Sequence, residues 1–246
     1  MWNTFIFQPL YNGLIGIMDL LPWADVGVAV IVFTAAVKIL LFPLSKSAIL
    51  TQVRMKEVEP EANKIRNKYA DDKQVQAMKV MELYKTHGIR PFAGVLLLII
   101  QLPILFALIS VFYHIIPTVN TALLYSFVAV PALKTHFLGL VDLTKPSLIL
   151  SLLTAVIQYL QLKYSLASKQ AAAAPKSTGP GAGMNNMANS MNTQMKYLVP
   201  ILAFASTYWI IPARFPEAAS IIAIYWMTSS AATLLQELYI RKKHLK

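Results

Sequence analysis

No cysteine occurs among the 246 residues. That absence excludes disulfides, thiolate zinc centres and lipid attachment through an N-terminal cysteine, and it leaves the compartment open. Charge is scarce as well: 13% of the chain is charged and 57% hydrophobic, with a mean hydropathy of +0.55. Soluble domains carry about a quarter of their residues charged, so this composition places the chain in a bilayer. No Asp or Glu lies in the central part of any long apolar run, which counts against a proton or sodium relay built on carboxylates. HExxH, GxSxG and P-loop sequences are missing, as is a pair of intramembrane aspartates, so proteolytic and ATP-driven readings lack their residues. The four histidines (His87, His114, His136, His244) are scattered without ligand spacing. The expectation is a protein that is not an enzyme and needs no metal or cofactor.

What is present is apolar length. A span needs roughly 20 mostly apolar residues, and five runs qualify: Val26–Ser45, interrupted only by Lys38, then Phe92–Ile116, Ser147–Leu162, Tyr197–Ile211 and Ala218–Leu235. Residues Phe5–Leu21 are also apolar, but Gln8, Pro9, Asn12, Gly13 and Asp19 interrupt them, which suits an amphipathic segment in the interface better than a span. The uncharged stretch Ile115–Leu133 raises the alternative of a sixth span, which would reverse everything after it. Charge decides between them. Five spans with the N-terminus outside put 18 Lys/Arg on the inner side and three outside, whereas six put 13 inside and eight outside; the positive-inside rule selects five.

The sequence thus divides into an interfacial segment (1–25), a first span (26–45), a polar stretch (46–90), a second span (91–116), an outer loop (117–145), a third span (146–164), a linker (165–195), a fourth and fifth span (196–240) and a basic tail (241–246). The first segment has no Lys or Arg, hence no basic n-region of a signal peptide, and is expected to remain in the mature protein. In the polar stretch, helical spacing on both sides of the turn-like Ala70-Asp71-Asp72, ended by Gly88 and Pro91, predicts a helical hairpin on the cytoplasmic side. Residues Ser165–Gln194, rich in Ala, Gly, Ser, Asn and Met, read as a flexible linker. With 22 Lys+Arg against 11 Asp+Glu, net +11, the polar parts suit anionic lipid head groups or an acidic partner such as ribosomal RNA.

Lys38 is the strongest anomaly, thirteenth in a twenty-residue apolar run. A charge at that depth costs on the order of 3 kcal/mol, and it either faces a wet cavity or snorkels to the interface. Thr34, one turn earlier, shares its face. Gln101, Gln158, Gln161, Tyr225 and Trp226 lie in other spans; each alone is helix–helix glue, and together they could line a groove that offers hydrogen bonds to a polar guest.

Several segments, in order, resemble the YidC/Oxa/Alb family of membrane protein insertases: FTAAVKILLFPLSKS (Phe33–Ser47), EPEANKIRNKYADDKQVQAMKVMELYKTHGIRPFAG (Glu59–Gly94), LLIIQLPILFALISVFY (Leu97–Tyr113), the FLGLVDLTKP and YLQLK segments within Phe137–Lys163, and Tyr225 to Ser229. The resemblance covers about residues 26 to 240. It implies an all-α bundle of five transmembrane helices around a hydrophilic groove, plus a cytoplasmic helical hairpin, in the compact bacterial form without a large extracytoplasmic domain. Family members carry a basic residue, usually arginine, where Lys38 stands, and a shorter, less charged turn where this chain has Pro212 to Pro216. It further implies a substrate groove of Lys38, Thr34, Gln101, Gln158, Gln161, Tyr225 and Trp226. Implied partners are nascent membrane proteins, the ribosome, the Sec translocon and anionic lipids, but no DNA. The setting implied is the bacterial plasma membrane, with the N-terminus outside and the C-terminus cytoplasmic. The other class open to such a chain is a small-molecule or ion transporter or channel, but that would call for intramembrane carboxylates or inverted repeats.

Overall fold

A computed structural model describes residues 2–115, 119–170 and 182–244. It is almost entirely helical. After a π turn at Asn3–Phe7 come α1 (Gln8–Leu20), α2 (Val26–Leu40), α3 (Phe42–Glu57), α4 (Glu59–Lys68), α5 (Lys73–Thr86) and α6 (Ala93–Ile115). A two-stranded hairpin, β1 (His136–Phe137) and β2 (Val141–Asp142), precedes α7 (Leu148–Gln170) and α8 (Ala182–Ala205). A second π turn at Ser206–Ile210 leads to the short α9 (Ile211–Arg214) and the long α10 (Ala219–His244). By contacts the chain forms two units, one of residues 1–41, 99–159 and 199–233, the other of residues 42–98, 160–198 and 234–246.

In the first unit, α1 presents Tyr11, Leu14, Ile15 and Met18 at helical spacing to a core shared with Val26, Val30, Phe33, Leu108, Phe112 and Ile222. Two of the polar interruptions of α1 have structural uses. At Gly13 an added Cβ would lie 3.0 Å from the Phe33 ring, so glycine allows α1 and α2 to approach. Asn12 is buried; its oxygen accepts the Tyr125 N–H at 2.7 Å and its amide donates to Leu123 O at 2.9 Å. Residues 119–135 contain only a 3-10 turn, Thr121–Leu123, so no sixth helix forms there.

The outward faces are apolar. On α7, Ile149, Leu152, Leu153, Val156 and Leu160 are exposed while Leu150, Ser151 and Thr154 are buried. Hydroxyl-bearing residues turned inward beside one leucine, with large apolar side chains outside, is the arrangement of a helix solvated by hydrocarbon.

Five helices were expected to span, but among the described residues only α7, over Leu148–Ser165, is by itself long and apolar enough. The first expected span breaks at Leu41, and α2 with α3 passes only as a bent pair. The cause is Pro43, which has no N–H to give and crowds the carbonyl four residues earlier. The apolar part of α6 is the shorter Ile99–Ile115, α8 ends in a π turn, and Ser, Thr, Gln and Glu dilute α10. Of the stretch read as a linker, residues 165–170 continue α7 and 182–195 begin α8, while 171–181 lie outside the described residues.

In the second unit α4 and α5 form the expected hairpin. The Asp72 carboxylate caps α5 by accepting Gln74 and Val75 N–H, both at 3.0 Å, and the Gln76 amide donates to Arg66 O at 2.7 Å across the turn. Gly88, at φ +62°, ends α5 in a left-handed step that other residues resist. Val58, Tyr84 and Ile89 form a small buried cluster against Met55, Val80 and Leu83.

Candidate functional site: a polar cavity around Lys38

The helix α10 organises the polar interior of the first unit. From α2, the Lys38 ammonium donates to Thr233 Oγ1 at 3.2 Å, and that hydroxyl donates to Ser229 O at 2.8 Å. From α6, the Gln101 amide donates to the Tyr225 hydroxyl at 3.1 Å. From α7, Gln158 Oε1 accepts the Ser230 hydroxyl at 3.1 Å, and Thr154 Oγ1 lies 3.0 Å from Ala223 O. Three helices therefore tie their polar side chains to one neighbour, and Tyr225, Ser229 and Thr233 recur every fourth residue along its face.

These residues surround a cavity of about 330 Å³. Lys38, Gln101, Gln158, Tyr225 and Trp226 all line it, together with Ser206, Ser229 and Ser230 and an apolar wall that includes Leu105 and Leu202. The structure therefore gathers five of the seven residues singled out in the sequence. Thr34 is elsewhere: it is buried, its hydroxyl has no partner, and it does not line the cavity. Gln161 is not among the lining residues either.

The sequence did not single out Ser206 and Ser230, which line the cavity, or Thr233, which holds the Lys38 ammonium without lining it. The four-residue repeat on α10 carried the signal for Thr233, but hydroxyls in apolar helices are so often simple glue that it does not stand out. Ser206 opens the π turn, and such turns widen a helix and recur beside functional cavities.

The chemistry available is a fixed cation with amide and hydroxyl groups in an apolar frame. The cavity has room for side chains and water rather than for a whole helix about 10 Å across. Among the described residues, no cluster of three or more His, Asp or Glu could hold a metal ion. A second cavity, about 550 Å³, lies beside the β1–β2 hairpin, bordered by Trp23, Asp25, Lys134, His136 and Leu138.

A model of the family described as "60Kd inner membrane protein" matches residues 19–246. The chain is 31% identical over 220 residues to a membrane protein insertase YidC of Fusobacterium nucleatum subsp. nucleatum, covering 88% of this chain and 86% of that protein. Against the membrane protein insertase YidC of Oceanobacillus iheyensis it is 28% identical over 249 residues, covering 98% and 84%. Against that of Dinoroseobacter shibae it is 28% identical over 263 residues, covering 99% of this chain and 38% of that longer protein.

Proposed function

Because this chain belongs to the YidC/Oxa/Alb family of membrane protein insertases, we propose that the cavity around Lys38 is the place where a client's polar segment is received while its apolar helix passes into lipid. Membership makes the chain a bacterial membrane protein of insertase type and not an enzyme. The finer mechanism is our reading. One observation carries it: a lysine in the last turn of an apolar helix opens onto a cavity it shares with Gln101, Gln158 and Tyr225.

A polar tail crossing hydrocarbon finds no partners for its backbone groups, which makes unaided transfer prohibitively costly. A wet cavity inside the membrane shortens the apolar distance, and the Lys38 charge attracts acidic residues of the tail. The client helix then moves sideways into lipid as its own apolar surface leaves water. Such a device runs without ATP.

In this reading five segments cross the membrane, at 26–45, 91–116, 146–164 and twice within 196–240. The N-terminus is outside and the C-terminus cytoplasmic, as the excess of inner Lys/Arg supports. The α4–α5 hairpin and the basic end of α10 hold the ribosome or the arriving nascent chain near the cavity and bind anionic lipid, and the Sec translocon is a further candidate partner.

The test is protease protection of a small single-span client with an acidic tail, translated onto liposomes holding the purified protein. Protection above empty liposomes that falls in Lys38→Ala is expected. Protection that survives the substitution removes Lys38 from the mechanism, and none at all with the wild type overturns the insertase reading.

A further inference from the structure

The cavity of about 550 Å³ beside the β1–β2 hairpin has no part in the mechanism above. Trp23, Asp25, Lys134, Thr135, His136 and Leu138 are among its walls, and all of them belong to the first unit. The helix α2 is apolar from Val26 onward, and Asp25 immediately precedes it, so the cavity stands at the height where hydrocarbon gives way to water.

Its walls differ in chemistry. Trp23 is 70% and Leu138 64% exposed, and Leu20 and Leu140, close to them in the chain, are exposed as well. Tryptophan beside apolar side chains at that height marks a membrane–water boundary. The Asp25 oxygens are both engaged, accepting the Val28 N–H at 3.0 Å and the Leu138 N–H at 2.9 Å. Asp142, opposite His136 in the hairpin, does not line the cavity and accepts from Thr144 and Lys145.

Lys134 is placed differently from the other two cations read as outer, Lys145 and Arg214. Lys145 pairs with Asp142 at 3.1 Å and Arg214 lies over the Phe215 ring at 5.8 Å, whereas Lys134 makes no ion pair among the described residues. Its ammonium donates to Pro22 O at 2.8 Å. That bond steadies the side chain at the cavity and leaves two of its three N–H groups to give.

We propose that this cavity binds the headgroup of an anionic glycerophospholipid, with the phosphate at Lys134 and His136 and the acyl chains leaving over Trp23 and Leu138. A cation without a carboxylate partner selects an anion, whereas the ammonium of a zwitterionic ethanolamine head would need a carboxylate whose oxygens are not already engaged. The apolar rim selects a lipid over a dissolved phosphate ion, because exposed tryptophan and leucine are covered by acyl chains and not by an ion. The site rests on the chain being a membrane protein; that its leaflet is the outer one rests on the orientation proposed above.

The chain has no cysteine, so Leu140→Cys, next to the cavity and 84% exposed, takes a single bimane fluorophore. The full chain is reconstituted in phosphatidylcholine vesicles with rising fractions of phosphatidylglycerol, phosphatidylethanolamine or phosphatidylcholine whose brominated acyl chains quench bimane on contact. Phosphatidylglycerol is expected to quench at about one-fifth of the mole fraction that phosphatidylcholine needs, as one lysine near the surface implies. Lys134→Gln brings the two lipids level and His136→Gln narrows the gap. Lys85→Gln, on the exposed face of α5, leaves it unchanged, and so does millimolar inorganic phosphate.

Equal quenching by all three lipids overturns the proposal, as does phosphatidylethanolamine matching phosphatidylglycerol. A preference that survives Lys134→Gln, that Lys85→Gln abolishes as fully, or that inorganic phosphate removes overturns it too. The orientation is tested separately: an impermeant maleimide is expected to label Leu140→Cys on intact cells. Labelling only after permeabilisation overturns the outer assignment, while the quenching alone decides the site.

Discussion

The two ends of α2 carry opposite charges that are handled in opposite ways. At the N-terminus Asp25 has both oxygens occupied by N–H groups, one from the helix it caps and one from the β1–β2 turn. At the C-terminus Lys38 faces a cavity and donates to the neutral Thr233 hydroxyl, with amides and serines lining the space around it. Both signs suit the helix dipole, negative at the start and positive at the end. The carboxylate holds two segments of backbone together, whereas the ammonium sits at the edge of a polar cavity, where the proposed function would have it meet a client. If the proposed function holds, stability and function are separated along one helix.

The sharpest way to break this comparison is to exchange the expected consequences. Asp25→Ala removes a cap and a charge-assisted hydrogen bond, so unfolding in detergent followed by circular dichroism is expected to show a loss of about 2–4 kcal/mol. Lys38→Met should reverse the pattern: client protection falls about tenfold, while thermal stability holds or rises, because a buried charge gives way to an apolar chain of similar length. Should Lys38→Met unfold the protein instead, the lysine is structural and the contrast fails.

The double variant sharpens the contrast further. Sites about 20 Å apart without shared partners should add within about 0.5 kcal/mol in unfolding. Thr154→Val, which removes the hydroxyl bridging α7 to Ala223 O, is expected to cost about 0.6–1 kcal/mol in the same assay.

The smallest effect is at Asp142, in the hairpin that Asp25 holds. The Thr144 hydroxyl and N–H, with Lys145 beside them, hold the Asp142 carboxyl down at about 2. A lowered value means that the ionised form supports the turn: its contribution is complete above the ordinary carboxylate value of about 3.9 and is lost as pH falls through about 2. Amide exchange of the hairpin followed from pH 5 downward should show this loosening, and Asp142→Asn should abolish its pH dependence.

Local chemistry was legible in advance. Gly88 ended a helix where a stop was read, the Asp72 turn opened α5, and Lys38 stood out because lysine in an apolar run has few explanations. Pro43 is equally visible inside the first apolar run, but a hydropathy count does not register the N–H it lacks, so the break at Leu41 does not show in it. What stayed hidden were pairings distant in sequence. Lys38 meets Thr233 across 195 residues and Gln101 meets Tyr225 across 124, and no periodicity within one helix says which hydroxyl on another will face it. Asn12 belongs to the same kind of pairing: the loop it grips, Leu123 to Tyr125, lies more than 100 residues away and leaves no trace in the helix that carries it.

The dependence of Lys38, Gln101 and Gln158 on α10 has a kinetic consequence. Under the proposed function, an arriving polar chain would meet donors and acceptors that α10 already engages, so each hydrogen bond it forms with them displaces one and the net gain per contact is slight. Affinity built from such exchanges is shallow and insensitive to the guest's sequence, and dissociation is fast. A site of transit, as opposed to one of storage, is served by that: many different passengers, each with a brief residence time.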